Sequence, residues 1–255
     1  MSNWKGIVQT ILICVTVFVT VLAAAVIGSA TFQNVKKAGT GGITVTGSAN
    51  QNFVSDLIVW RGSFSRSSSD LTSAYSALKQ DADAIRNYLL GEGVDEKEIV
   101  LSSVSINTNY RDEYTTSPKG DSIHTSVFDG YTLTQWVTIE SSAVDKVEGV
   151  SRDITKLIDA GIVFLSNAPE YYYTKLDELK IEMIADATAN ARLRVEKIAE
   201  NAQCEIGPLL DSSLGVFQIT AQNSADEEYS SMGTYNTSSK FKTASITVKL
   251  HYAVK

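Results

Sequence analysis

Hydrophobic residues fall into three patterns along this chain. The first is an unbroken apolar run. No charged residue occurs between Gly6 and Val35, and Ile7–Ile27 (IVQTILICVTVFVTVLAAAVI) is apolar nearly throughout. Such a run is long enough for one helix across a bilayer core of about 30 Å. It exceeds the roughly 7–15 apolar residues of a cleaved signal peptide, which favours a retained anchor. Gly28-Ser29-Ala30 and Ala23-Ala24-Ala25 still put small residues where a signal peptidase cuts, so release after cleavage remains an alternative. Lys5 lies on one side and Lys36 and Lys37 on the other, a balance from which charge alone assigns no orientation. Residues 1–30 are thus expected to be a signal anchor, 31–42 (TFQNVKKAGTGG) a tether and 43–255 a folded domain.

The second pattern is period-two alternation, which predicts strands at 43–49, 53–66, 99–110, 128–140, 162–173, 208–221 and 240–254. Asn50-Gln51-Asn52 suggests a tight turn between the first two. In the fourth, Tyr131, Leu133, Gln135, Val137 and Ile139 share a face.

The third pattern has helical period. Leu71, Tyr75, Leu78, Ala82, Ile85 and Leu89 form one stripe of a helix over 69–90, capped by Ser69 or Asp70 and stopped at Gly91. Val144, Val147, Val150, Ile154 and Leu157 mark a second helix over 144–160, ended by Gly161. The longest helix spans 174–203, opening on a Thr174-Lys175-Leu176-Asp177 capping box. Its stripe is Leu176, Leu179, Met183, Ala187, Ala191, Val195, Ile198 and Ala202, and its small residues imply a close approach to a packing partner. Residues 111–127, with Pro118-Lys119-Gly120-Asp121, read as a long hairpin loop, and 222–239, with Asp226-Glu227-Glu228, as a long mobile one. The order β-β-α-β-β-α-β-α-β-β defines an α+β fold in which three helices pack on largely antiparallel sheets, preceded by one transmembrane helix.

Composition narrows the chemistry. The net charge is −7, which lacks the basic footprint of a nucleic-acid binder, so no nucleic-acid partner is expected. Among 255 residues there are only two histidines and two cysteines. Cys14 reads as a filler in the spanning helix and Cys204 as an inert thiol after the longest helix, with no disulfide framework. His124 beside Asp121 and His251 beside Lys249 read as two exposed histidines, since a metal site needs three or four ligands at recognisable spacing. No nucleophile elbow and no phosphate-cradling glycine loop follows a strand. Asp56 is a lone carboxylate, better suited to accepting backbone hydrogen bonds at a turn than to acid–base work. Tyr171, Tyr172 and Tyr173 form the candidate interface, with Tyr171 and Tyr173 on one strand face and Tyr172 on the other.

Four features stand in order along the chain: Ile43-Thr44-Val45-Thr46-Gly47 followed by Asp56-Leu57, then Gly130-Tyr131, then Ala160-Gly161 through the tyrosine cluster, and last Ala187, Ala191, Lys197, Ile198 and Ala199 leading to Ile206-Gly207. In these the chain resembles the SIMPL-domain family of bacterial envelope proteins. One departure is Ser55, where the family usually has proline. The resemblance implies an extracytoplasmic, oligomerising protein linked to envelope function and oxidative-stress defence, with no agreed catalytic residues. The expectation is therefore a non-enzymatic protein without catalytic, cofactor or metal site. It would be held in the bacterial inner membrane by its N-terminal helix, with the C-terminal domain periplasmic, and would assemble with itself or dock an envelope protein. The alternative is a binding module for a small ligand or peptide built from the 111–127 and 222–239 loops.

Overall fold

The computed structural model of the chain describes residues 16, 18–27, 29, 41–116, 122–224 and 230–255. Residues 18–27 are helical (α1), and their apolar side chains, Phe18 and Ile27 among them, are exposed. Among the described residues no helix is long and apolar enough to cross a membrane. Most of the Ile7–Val17 half of the expected span, including Cys14, lies outside them, as does the tether up to Thr40.

The chain folds as an α+β protein with antiparallel sheets, arranged as two compact units. One comprises Met1–Ser48, Asp186–Gly215 and Thr247–Lys255, the other Ala49–Ala185 and Val216–Ile246. β1 (Gly42–Val54), α4 (Leu176–Ala202) and β10 (Phe241–Val254) each run in sequence from one to the other.

In the larger unit the centre is β2 (Leu57–Ser68), whose partner along its whole length is β5 (Ser122–Ser141). The register sets Trp60 against Ile139, Phe64 against Gln135 and Ser68 against Tyr131. β3 (Ile99–Leu101) and β4 (Ser105–Thr116) add to β5, while β6 (Phe164–Ser166) and β7 (Glu170–Tyr172) add to β2. The sequence reads 162–173 as one strand. It is two, because the register on β2 slips by one residue between Phe164–Ser166 and Glu170–Tyr172, and Pro169 between them has no N–H to offer a ladder. β9 (Gln218–Ala221) pairs antiparallel with the first half of β10, Lys242 facing Ala221.

α2 (Leu71–Gly91) and α3 (Val144–Asp153) supply Leu78, Ile85, Leu89, Val147 and Val150 to the same buried cluster as Trp60, Phe64, Leu133, Val137 and Ile139. Asp70 caps α2 by accepting the Ser73 N–H at 2.7 Å. The first turns of α2 differ from the expected stripe. Leu71 and Tyr75 are exposed, and Ala74 and Asp81 take the inward positions. Asp81 is tolerated there because Arg66 donates to both its oxygens, at 2.5 and 2.8 Å, and to the Gly161 carbonyl at 2.9 Å. The carboxylate holds the Arg66 guanidinium above its ordinary pKa. Gly91 falls within the last turn of α2, and the stop is Gly93 at φ +80, with the Val94 N–H returning to the Leu89 carbonyl. The second helix keeps its predicted stripe but tightens into 3-10 geometry over Ile154–Ala160 before Gly161 at φ +74.

In the smaller unit β8 (Ile206–Leu214) pairs antiparallel with the second half of β10, Val248 facing Leu214 and His251 facing Asp211. The close approach implied by the small residues of the long helix is present: an added Cβ on Gly47 of β1 would lie 2.2 Å from the Ala187 carbonyl oxygen and 2.3 Å from the Ala191 nitrogen. Asn190 accepts the Ser48 N–H and Arg194 donates to the Thr46 carbonyl, fastening strand to helix. Ile198 is exposed, and Ala199 takes the inward place that the stripe assigned to Ile198. Asn50-Gln51-Asn52 form no turn. They continue β1, which breaks only at Ser55 and Asp56.

Candidate functional site

The expected loop at 111–127 is instead largely strand. β4 pairs with β5 from Ser105↔Thr134 to Thr116↔Ser122, and residues 117–121, with Pro118-Lys119-Gly120-Asp121, lie outside the described residues. Below Tyr131, β5 has lost β2, so β4 and residues 122–130 form a two-stranded ribbon beyond the sheet. Gly130, at φ +97, makes this departure possible. A Cβ there would meet the Ser68 carbonyl oxygen at 2.5 Å. A register shift between Thr108 and Tyr110 brings Tyr131 and Phe128 onto one face.

That face carries a row of rings. Tyr131 packs on the buried cluster, Phe128 meets it edge-on at 5.2 Å, and Tyr110 meets Phe128 at 6.2 Å. Farther out Tyr114 lies 5.1 Å from His124, whose Nε2 is 2.9 Å from Asp112 Oδ1. Tyr110 is 63% exposed, Tyr114 70% and Phe128 46%. On the opposite face Arg111 and Glu113 pair at 2.7 Å. Nothing among the described residues pairs with the outer edge of β4.

A second feature of the same unit is an open groove of about 570 Å³, lined by Val54, Ser55, Asp56, residues 142–146 and Lys240. Each of its charged side chains is already engaged, Lys146 with the Gly93 carbonyl at 2.8 Å. Lys240 Nζ donates to Asp145 and, at 3.4 Å, to Glu148. The Asp145 hydrogen bond, chiefly, raises the Lys240 pKa, so this ammonium stays protonated and is no base at neutral pH. Asp56 accepts the Thr174 N–H at 2.7 Å and the Thr174 hydroxyl at 2.8 Å. That pair makes it a joint between strand and helix start, and it draws Thr174 away from the expected capping box. Ser55 donates its backbone N–H to the Lys240 carbonyl at 2.9 Å, a bond that proline at this position would lack.

The tyrosines are divided. Tyr171 is 7% exposed and belongs to the buried cluster, so its ring is not available to a neighbouring molecule. Burial first, and the Glu148 charge second, raise its pKa. Tyr172 donates to Glu170 at 3.0 Å and lies against Tyr235, and Tyr173 lies 4.8 Å from Phe53. His124 sits in β5 rather than in a loop, and His251 is half-buried in β10. Cys204 is a free thiol just past α4. Among the described residues no three His, Cys, Asp or Glu side chains lie together as a metal site.

Sequence reasoning missed Lys242. It falls on the inward face of β10 with Ala244 and Ile246, fully buried, and donates to the Asn236 and Ser239 carbonyls at 2.5 Å each. A lysine in phase with core positions is the signal. It fastens part of the expected 222–239 loop, where the Asn236 N–H also reaches the Ile219 carbonyl and the Thr237 carbonyl accepts from Tyr171. Residues 225–229, with Asp226-Glu227-Glu228, lie outside the described residues.

Fold and surface together define an α+β protein of paired sheets and helices whose exposed chemistry lies along a projecting strand ribbon. The chain belongs to the SIMPL family, described as a protein of unknown function (DUF541), whose sequence model matches residues 43–252. No curated protein matches the chain.

Proposed function

We propose that this SIMPL-family chain is a non-enzymatic, membrane-anchored extracytoplasmic protein of the bacterial envelope that works by assembling with copies of itself. The observation that carries this reading is the β4–β5 ribbon. An isolated two-stranded ribbon is marginal in water. This one exposes both faces, a free edge and a row of aromatic rings, features that become stable and dry on association. The anchor is supported by the uncharged stretch from Gly6 to Val35 and by the exposed apolar side chains of residues 18–27. Stress defence is the physiological setting that the family resemblance suggests.

The test is the mass of the full-length chain, purified in detergent, by light scattering over a concentration series. A discrete multiple of the 27.6 kDa chain is expected. A monomer at every concentration would overturn the assembly reading. Protease added to spheroplasts is expected to remove the domain while leaving cytoplasmic proteins intact, and full protection would overturn the extracytoplasmic placement.

A further inference from the structure

The ribbon's free edge carries a charge pattern that is complementary to itself. Two copies of β4 related by a twofold axis perpendicular to the sheet must pair antiparallel, with a single residue facing its own symmetry mate. That follows because directly opposite residues share a face. Three such registers centre on the charged triplet Arg111-Asp112-Glu113. Centring on Arg111 opposes two arginines, and centring on Glu113 opposes two glutamates. Centring on Asp112 sets Arg111 of each copy opposite Glu113 of the other, twice.

The same register sets Tyr110 opposite Tyr114, twice, on the other face. The ring rows of the two ribbons then form one continuous aromatic surface, and cross-strand aromatic pairs are among the stabilising ones. Its one like-charge contact, Asp112 against Asp112, is the position where each copy supplies a hydrogen-bonding partner for the carboxylate: His124 Nε2 lies 2.9 Å from Asp112 Oδ1. The neighbouring Thr108↔Thr116 and Asn109↔Thr115 pairs are small and polar, with no bulk to hold the edges apart.

We infer that the partner for this edge is a second copy of the chain, joined β4 to β4 about Asp112 into a four-stranded ribbon held by reciprocal Arg111–Glu113 pairs. This rests on the assembly reading above and adds the surface and its register.

The pairing is tested by complementary charge reversal in the full-length chain. R111E carries two acidic residues at 111 and 113, and E113R two basic ones. Each variant alone is expected to weaken self-association about tenfold or more, because two attractive cross-strand contacts become repulsive. Mixed one to one, the two variants are expected to recover association as mixed pairs, captured by differently tagged copies. The double variant R111E/E113R is expected to associate with itself again. Both side chains are exposed, and unchanged circular dichroism of each variant verifies its fold.

Single variants that associate like the wild type would overturn the β4 pairing and leave assembly standing. Loss in the single variants without recovery on mixing would also overturn it. A monomeric wild-type chain would remove the assembly reading and this inference together.

Discussion

Two glycine-to-alanine substitutions should change stability in opposite directions, and the reason is what each new methyl meets. At Gly47 an added Cβ would lie 2.2 Å from the Ala187 carbonyl oxygen, 2.3 Å from the Ala191 nitrogen and 2.7 Å from the Ala191 Cβ. Carbon needs about 3.5–4.0 Å from such neighbours, so strand and helix must separate by more than ~1 Å. Two of the three atoms are helix backbone, and no rotamer relieves them. Ala187, Ala191 and Val195, all essentially fully buried, would lose packing across that gap. Overpacking of this kind costs about 1–3 kcal/mol, and the backbone contacts put Gly47→Ala near ~3 kcal/mol. Ala191→Gly added to it removes only the 2.7 Å contact, and should recover little. Gly149, inside α3, meets nothing within 4 Å. There alanine restores helix propensity and reduces unfolded-chain entropy, for a gain of about 0.5–1 kcal/mol. The assay is urea unfolding of the full chain followed by far-ultraviolet circular dichroism, comparing midpoints at unchanged slope. Gly47→Ala within about 0.5 kcal/mol of the wild type would refute the close approach of β1 to α4.

Other outcomes follow from the same contacts. Asp81→Ala should destabilise by about 2 kcal/mol because Arg66 keeps its charge without its bidentate partner, and a double-mutant cycle with Arg66→Met should show coupling above ~1 kcal/mol. An additive cycle would contradict the pairing. Lys242→Met should cost about 3 kcal/mol by leaving the Asn236 and Ser239 carbonyls without their charged donor, and should speed proteolysis near residues 236–239. An unchanged cleavage pattern would show that the lysine does not fasten this segment. Stability should fall in alkali. Lys240, Tyr171 and Tyr172 have folded pKa values raised above 10.5, 10.0 and 10.0 respectively. Their contribution is therefore complete below about pH 10 and declines as pH rises through the folded values, since the unfolded chain gives up these protons first. A flat unfolding midpoint from pH 9 to about pH 11 would contradict this.

Most elements were legible because each buries one face. Val144, Val147, Val150, Ile154 and Leu157 are all inward, so their spacing reported the helix correctly. The ribbon escaped notice for the converse reason. Residues 105–110 of β4 fall in the predicted 99–110 strand, but 111–116 are exposed on both faces, so no apolar alternation marks them and their polar residues read as loop. Asn50-Gln51-Asn52 misled in a similar way, since turn-forming residues are also tolerated in a strand whose side chains are exposed or only partly covered. Asp81 and Lys242 break the rule that charges stay outside. Their partners, Arg66 for one and two backbone carbonyls for the other, lie close in space, and no local pattern reveals that either is satisfied. The tyrosine cluster looked uniform in sequence. Only the pairing of β7 with β2 sends Tyr171 inward and leaves Tyr172 and Tyr173 half-covered.

The interleaving of the two units sets a timetable for synthesis. The buried cluster that holds Trp60 and Phe64 is drawn from residues between Ile58 and Tyr171, so a ribosome has delivered all of it before α4 begins. The other unit is gathered from three distant stretches, of which Thr247–Lys255 emerges after the other two. Until then β8 has no half of β10 to pair with, and its leucines at 209, 210 and 214 wait with an open strand edge. A chain not yet extended past Ile246 therefore holds the whole Ile58–Tyr171 cluster while β8 still lacks the half of β10 it pairs with, and that interval is when an edge-binding chaperone would matter most.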